Sequence, residues 1–232
     1  MQSMTPFTRY RILGVDLGQT SDPSAACVLE KKVYDGGFIG PPDVTVRMTD
    51  LRKWPLGSDY NRVVDELLDA RDINALVVDF TGVGRPVVDL LRKRATARNY
   101  RGKIIPVVIA ASNTTLRQKT EARGHHWTVP KCDLISALNV LSQSRQLRTA
   151  NPRKDPLVKA FHEELAAFER KVTRSANETY NARSGKHDDL VIAVSLAAWW
   201  LLRYGSRRLQ MYTGGQDAPP TRGWQRQQGV LV

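Results

Sequence analysis

Residues 11–20 read Arg11-Ile12-Leu13-Gly14-Val15-Asp16-Leu17-Gly18-Gln19-Thr20, a largely apolar run that ends in an aspartate and a glycine. A run of this kind predicts a buried β-strand. Asp16 is unusual in it, because a carboxylate at the end of a core strand loses hydration unless a cation or hydrogen-bond donors compensate. On this stretch alone, an aspartate that caps the turn after the strand explains the pattern equally well.

The same pattern occurs twice more in the chain. Residues 76–84 read Leu-Val-Val-Asp-Phe-Thr-Gly-Val-Gly and place Asp79 at the end of a second apolar run. Asp188 and Asp189 open a strongly apolar helical segment. If the two strands are neighbours and the helix packs beside them, the carboxylates converge, and charges about 4 Å apart repel by roughly 1–4 kcal/mol. Such a cluster needs cations, and all-oxygen ligands favour Mg²⁺ or Mn²⁺.

Composition and charge limit the class of protein. The chain has 232 residues, is 41% hydrophobic and carries a formal net charge of +12, so it can bury a core and favours polyanionic partners, nucleic acid before acidic membrane. A basic but ordinary surface remains an alternative. Cys27 and Cys132 stand far apart, as expected in a reducing compartment. With no signal-peptide pattern and no membrane-length apolar run, we expect a soluble intracellular protein that has no membrane partner.

The order of predicted elements indicates an α/β fold. A leader (1–9) precedes one domain (10–205), and a flexible basic tail (206–232) follows it. Three strands joined by short links predict an antiparallel meander, and two strands that alternate with helices predict parallel pairing. The predicted strands are 10–18, 25–32, 44–50, 75–80 and 103–111, and the predicted helices are 59–71, 83–95, 131–146, 155–171 and 188–204. The result is a five-stranded mixed sheet flanked by helices.

Three further features belong to this prediction. Pro106 argues for an edge position or a bulge in the fifth strand, because proline cannot donate to a ladder. Residues 112–130 are expected to form a long polar connection, a kind of loop that is often functional. Residues 172–184 could form a small hairpin.

The four aspartates are the predicted catalytic and metal-binding residues. Carboxylates that hold two divalent ions are the arrangement used for in-line attack on phosphodiesters. Asp188 and Asp189 are consecutive helical residues and point about 100° apart, so one of them is expected to bind a metal directly while the other takes the second ion or orients a water. Capping of the helix is the alternative role for this pair. His187 is expected to orient a ligand or assist proton transfer, or else to be a surface residue at the helix start.

A set of basic side chains is predicted to contact the DNA backbone, which is held by charge with little reading of bases. Taken singly, each is better explained as a solvated surface charge. The set comprises Arg92, Lys93, Arg94, Arg98, Arg101, Lys103, Arg117, Lys119, Arg123 and Lys131.

Residues 14–18, 77–91 and 187–194 jointly resemble the nuclease domain of the large terminase subunit of tailed bacteriophages, and Val129-Pro130-Lys131 before a Leu-rich helix is similar to that family as well. The resemblance covers about residues 10–204. It implies an RNase H-like fold and a Mg²⁺- or Mn²⁺-dependent two-metal endonuclease that cuts double-stranded viral DNA, with Asp16, Asp79 and the Asp188–Asp189 pair at the positions of the family's acidic motifs. It also implies the cytoplasm of an infected bacterial host, and as partners the terminase ATPase domain, the small terminase subunit and the portal protein.

One departure from the family matters. No Gly-x-x-x-x-Gly-Lys-Ser/Thr segment occurs in the sequence, so this chain is not itself the ATP-driven motor. An excised nuclease domain and a separate nuclease gene product both remain open.

Three other functions stay open at this point. A RuvC-type Holliday-junction resolvase shares the fold and the metal chemistry, although its second acid is usually glutamate, whereas Asp79 stands here. The stretch 16–20 also resembles the phosphate loop of actin-like and sugar-kinase ATPases, which generally need a longer chain. A DNA-binding module without catalysis is the non-enzymatic alternative, and the presence of all four aspartates argues against it.

Overall fold

The computed structural model describes residues 7–18, 22–34, 45–82, 85–110, 114–120, 124–174 and 188–204. Within these ranges the strands form one sheet with the order β6-β7-β5-β4-β1-β2-β3-β8. The strands are β1 Phe7–Asp16, β2 Ala25–Tyr34, β3 Val46–Lys53, β4 Ala75–Asp79, β5 Lys103–Ala110, β6 Leu116–Thr120, β7 Gly124–Pro130 and β8 Leu147–Arg148.

The pairing confirms the predicted fold class, a mixed α/β sheet. Strands β1, β2 and β3 form the antiparallel meander. Strands β1, β4, β5 and β7 run parallel to one another. The predicted number of five strands is wrong, because β6, β7 and β8 extend the sheet at its two ends.

Helices cover both faces of the sheet and divide the core in two. On one face α1 and α2 pack on β1 and β4. On the other face α3, α4 and α5 build the larger core. The helices are α1 Tyr60–Leu68, α2 Arg85–Ala97, α3 Lys131–Gln143, α4 Pro156–Arg174 and α5 Asp189–Tyr204. In the described ranges no helix is long and apolar enough to cross a membrane.

Helix α5 lies directly on the middle of β1, and Gly14 allows this contact. A Cβ atom at Gly14 would lie 2.1 Å from the Ala193 carbonyl oxygen and 2.7 Å from the Ala197 backbone nitrogen. Only a residue without a side chain permits such an approach of backbone to backbone. Because Asp16 follows Gly14 by two residues, the same contact brings the start of α5 to the end of β1.

Two predictions on the region after β4 are wrong. The segment 112–130 is not one long connection, since it contains the antiparallel pair β6–β7. Strand β5 is not at an edge, since it lies between β4 and β7. Pro106 is tolerated there because the ladder with β7 begins only at Val107, so β5 still has a single neighbour at the proline.

Some predictions fall at or beyond the ends of the described ranges. Strand β1 already begins at Phe7, within the predicted leader, and pairs there with Tyr34. Most of the suggested hairpin at 172–184 and all of the tail at 206–232 lie outside the described residues.

Candidate active site

The carboxyl ends of β1 and β4 place two aspartates side by side. Asp16 and Asp79 are register partners in the parallel β1–β4 ladder, as the sequence predicted. Both strands point these residues toward α5, because Val77, two positions before Asp79, belongs to the core on that face. The register row that Asp79 and Asp16 form continues through Ala25 on β2 to Lys53 on β3. Four neighbouring strands therefore contribute to one line of residues across the sheet.

Asp16 interacts electrostatically with the other three aspartates. Burial raises the pKa of Asp16 well above its ordinary value, and the charges of Asp79, Asp189 and Asp188 raise it further, while Lys131 acts in the opposite direction. All four predicted acidic residues therefore converge at one edge of the sheet. Ionising them together in this partly desolvated place is unfavourable without cations.

Asp79 is held by Thr81, two residues after the end of its strand. The backbone N–H of Thr81 donates to Asp79 Oδ1 over 2.8 Å, and the Thr81 hydroxyl donates to the same oxygen. The Thr81 oxygen in turn accepts from the backbone N–H of Ile109 on β5 over 2.8 Å. Burial raises the pKa of Asp79, although the hydrogen bonds from Thr81 and the charge of Lys131 oppose that rise.

The two aspartates at the start of α5 have different surroundings. Asp188 is half-buried and its Oδ2 accepts from Lys131 Nζ over 2.8 Å. Asp189 is buried, and Lys53 Nζ lies 3.1 Å from its Oδ2. Lys131, predicted as a DNA contact, is thus placed by its ion pair among the carboxylates at the start of α3.

Lys53, Glu164 and Thr81 belong to this site and were missed from the sequence. Lys53 Nζ lies 3.3 Å from Glu164 Oε1. Burial lowers the pKa of Lys53, but its hydrogen bonds and charge interactions with Asp189 and Glu164 outweigh that effect and the net pKa is raised. One signal for Glu164 existed, because it follows Phe161 by three residues and so lies along the apolar face of α4.

No such signal existed for Lys53. The β2–β3 ladder shifts register between Val28 and Leu29, which leaves Thr49 as the extra residue of a bulge. After the bulge Leu51 and Lys53, rather than Asp50 and Arg52, continue the face that Met48 begins. A strict alternation read from the sequence points Lys53 to the wrong side of the sheet.

The structure does not gather the remaining predicted DNA contacts at the site. On α2, Arg92 lies 3.7 Å from Asp89 and Arg94 pairs with Asp65, and directly after α2 Arg98 bridges Asp65 and Asp69. Arg94 and Arg98 thereby join α2 to α1 on the other face of the sheet. Lys93 and Arg117 are exposed side chains on α2 and β6, and Arg101 and Lys103 precede and begin β5. The side chain of Lys119, together with Arg123 and His187, lies outside the described residues.

The donor set is of the type that divalent cations prefer. No group of three His, Cys, Asp or Glu side chains in the described ranges is close enough together to hold an ion as it stands. The ammonium groups of Lys131 and Lys53 instead lie on Asp188 and Asp189. Since four carboxylates share the site and burial disfavours the charge of Asp16, an oxygen-liganded Mg²⁺ or Mn²⁺ fits the residues that are present.

Comparison with known proteins finds solved structures that are similar to this chain at low sequence identity. No protein-family model matches the chain, and no curated protein matches it. The fowlpox virus Holliday junction resolvase is similar with a TM-score of 0.41 and 13% identity, over 83% of this chain and 98% of that chain. Its complex with Holliday junction DNA gives a TM-score of 0.40 and 13% identity, over 83% and 99%. RuvC of Thermus thermophilus gives 0.35 and 12%, over 84% and 97%.

Proposed function

We propose that this protein is a metal-dependent endonuclease that cuts double-stranded DNA, and that it acts as the nuclease part of a viral genome-packaging terminase. The convergence of Asp16, Asp79, Asp188 and Asp189 at one edge of the sheet carries the proposal. The terminase role is supported by the resemblance of residues 14–18, 77–91 and 187–194 to that family. The ATPase domain, the small subunit and the portal protein would be its partners, in the cytoplasm of an infected bacterium.

In this proposal each residue of the site has a distinct role. Asp16, Asp79 and the Asp188–Asp189 pair would hold two Mg²⁺ or Mn²⁺ ions. When bound, such ions lower the pKa of an attacking water and stabilise the leaving oxygen of a phosphodiester. Thr81 fixes one oxygen of Asp79, so the carboxylate keeps its orientation toward Asp16. Lys131 and Lys53 neutralise Asp188 and Asp189 in the metal-free protein.

The net charge of +12 supports DNA as the substrate. Duplex DNA carries two negative charges per base pair, and a basic protein gains affinity by releasing the counterions that surround them. This gain does not depend on sequence, as suits a nuclease that cuts with little preference.

The test is cleavage of supercoiled plasmid by the full chain in Mn²⁺, in Mg²⁺ and in EDTA. We expect nicked and linear products with Mn²⁺ or Mg²⁺ and none in EDTA. Asp16→Asn and Asp79→Asn should each lower the rate at least ~100-fold, because each removes a charged ligand. Asp72→Asn is the matched control, since Asp72 is an exposed carboxylate ahead of β4 and asparagine accepts its φ of 55°. Unchanged cleavage by Asp79→Asn in Mn²⁺ would show that the assigned site is wrong.

A substrate comparison separates a terminase nuclease from a junction resolvase. A linear duplex and a four-way junction of the same sequences should be cut at similar rates by a terminase nuclease. Cleavage confined to the junction, in symmetric nicks, would contradict the terminase role while leaving the metal-dependent nuclease in place.

A further inference from the structure

Helix α5 is capped by a residue of another helix. The backbone N–H groups of Leu190 and Val191 both donate to Glu164 Oε2, over 3.1 Å and 3.4 Å. The other oxygen of Glu164 lies 3.3 Å from Lys53 Nζ, and the same ammonium lies 3.1 Å from Asp189 Oδ2. Three distant parts of the chain, the end of β3, the middle of α4 and the start of α5, therefore meet in one ionic network.

This arrangement replaces the usual cap of a helix. Asp188 directly precedes α5, and its carbonyl accepts the N–H of Ile192 over 2.9 Å, which is the bond that an N-cap residue makes. A side chain at this position usually accepts from the second and third N–H groups of the helix. Those two groups belong to Leu190 and Val191 and are bonded to Glu164, while the Asp188 carboxylate is bonded to Lys131 instead.

We propose that Glu164 is a positioning residue that substitutes for Asp188 as the cap of α5 and, together with Lys53, holds Asp188 and Asp189 toward Asp16 and Asp79. The site half of this inference rests on the proposed function. The cap supplied by Glu164 explains why the Asp188 carboxylate, although it stands at a helix start, does not cap its own helix. Glu164 is suited to the task because its side chain is only 13% exposed and is fixed by Lys53.

The proposal predicts a specific rearrangement when the substitute cap is removed. In Glu164→Ala the N–H groups of Leu190 and Val191 lose their acceptor, and we expect Asp188 to take over because it stands at the N-cap position. Asp188 then turns away from the cluster. The helix start remains capped, so the loss of stability is small, but the site loses a carboxylate.

A double-mutant cycle in EDTA tests the exchange of caps without metal or substrate. Asp188→Ala should change the unfolding midpoint of the parent little, or raise it, because Glu164 still caps the helix and one negative charge is removed. In the Glu164→Ala background the same change should lower the midpoint by about 2–4 °C, because no cap remains. An additive cycle overturns the proposal, whatever the protein does to DNA.

Direct binding of Mn²⁺, followed by electron paramagnetic resonance without DNA, tests the effect on the site. We expect Glu164→Ala to weaken Mn²⁺ binding at least ~10-fold. Glu164→Gln keeps an oxygen acceptor for both N–H groups and should restore most of the affinity. Glu163→Ala is the control, since Glu163 is an exposed neighbour on α4 paired with Lys159 at 3.7 Å. Equal affinity in Glu164→Ala and Glu163→Ala would overturn the positioning role.

The two proposals fail separately. If the parent binds Mn²⁺ and shows the non-additive cycle but cuts no plasmid, the nuclease assignment is wrong and the cap stands. If the parent cuts plasmid and the cycle is additive, the nuclease stands and the positioning role of Glu164 is wrong.

Discussion

At the scale of single residues, the position of Asp16 lowers the stability of the folded protein when its carboxyl group is ionised. Burial and then the charges of three neighbouring aspartates raise its pKa, so its charged form is less favourable in the folded chain than in the unfolded one. With respect to Asp16, the folded protein is most stable at acid pH, where the carboxyl is protonated, and this stability is lost as the pH rises through the folded pKa. A residue in this situation is better explained by chemistry than by packing.

Removing this charge should therefore stabilise the metal-free protein. In EDTA at pH 8 we expect Asp16→Asn to raise the free energy of unfolding by roughly 1–3 kcal/mol, the scale of repulsion between nearby carboxylates. The gain should shrink as the pH is lowered toward the ordinary carboxyl pKa, since Asp16 is then protonated in the parent. Urea unfolding at several pH values measures both effects, and Asp72→Asn should show neither. A variant less stable than the parent at pH 8 would contradict the electrostatic description of the site.

At the scale of elements, the contact between β1 and α5 positions the acidic residues of the two elements relative to each other. Gly14 and the small residues Ala193 and Ala197 bring two backbones together in the larger core. A helix pushed outward there would carry Asp188 and Asp189 away from Asp16.

Gly14→Ala tests this dependence. The added methyl group would lie 2.1 Å from a backbone oxygen, so the helix must move, at a cost of about 1–3 kcal/mol or more. We expect plasmid cleavage to fall at least ~10-fold at a temperature where the variant remains folded by circular dichroism. Gly57→Ala is the control: its φ of 77° is strained for alanine, but beyond its two chain neighbours no described residue has an atom within 4 Å of the new methyl group. It should lose stability and keep its specific activity, and equal losses of activity in both variants would contradict the argument.

The contact between α1 and α2 changes the role that we expect for Arg94, which the sequence predicted to contact DNA. Its guanidinium pairs with Asp65 and donates to Asn61 Oδ1 over 2.9 Å, so it is occupied within the protein. We expect Arg94→Ala to lower the thermal unfolding midpoint and to leave the affinity for duplex DNA unchanged. Lys93→Ala, at the exposed neighbouring position, is the control that should leave the midpoint unchanged. Fluorescence anisotropy with labelled duplex measures the affinity. A loss of affinity confined to Arg94→Ala would show that Arg94 contacts DNA, as the sequence predicted.

The sequence was sufficient to predict elements whose pattern is local. It was insufficient to predict elements and site residues that are defined by partners far away in the chain. Apolar runs into Asp16 and Asp79 predicted β1 and β4, while the pairing of these two strands was only a condition of the prediction, which the structure meets. The β6–β7 pair was missed because polar and basic residues such as Arg117, Lys119 and His125 leave no apolar run there, so the segment looked like a polar loop. Lys53 was missed because the predicted strand ended at residue 50 and a bulge determines which face Lys53 joins, and its partner Glu164 is 111 residues away.

At the scale of the whole molecule, charge is the property that the sequence predicts most directly. A net charge of +12 should make DNA binding strongly dependent on salt. We expect the affinity for a duplex oligonucleotide, measured in EDTA so that no cleavage occurs, to fall by at least ~100-fold between 50 and 200 mM KCl. The logarithm of the binding constant should fall linearly with the logarithm of the salt concentration. A flat response would exclude a phosphate-backbone interface.

The row that runs from Lys53 through Ala25 and Asp16 to Asp79 has a consequence for how this chain can change over generations. Side chains on a strand alternate between faces, so an insertion or deletion inside β1 would turn Asp16 into the apolar layer beneath α1 and α2 and turn its apolar neighbours outward. Such a chain would fail to fold before its chemistry could be tested. Selection for a folded protein therefore also preserves the spacing of the carboxylates, while the loops between elements can vary in length without disturbing it.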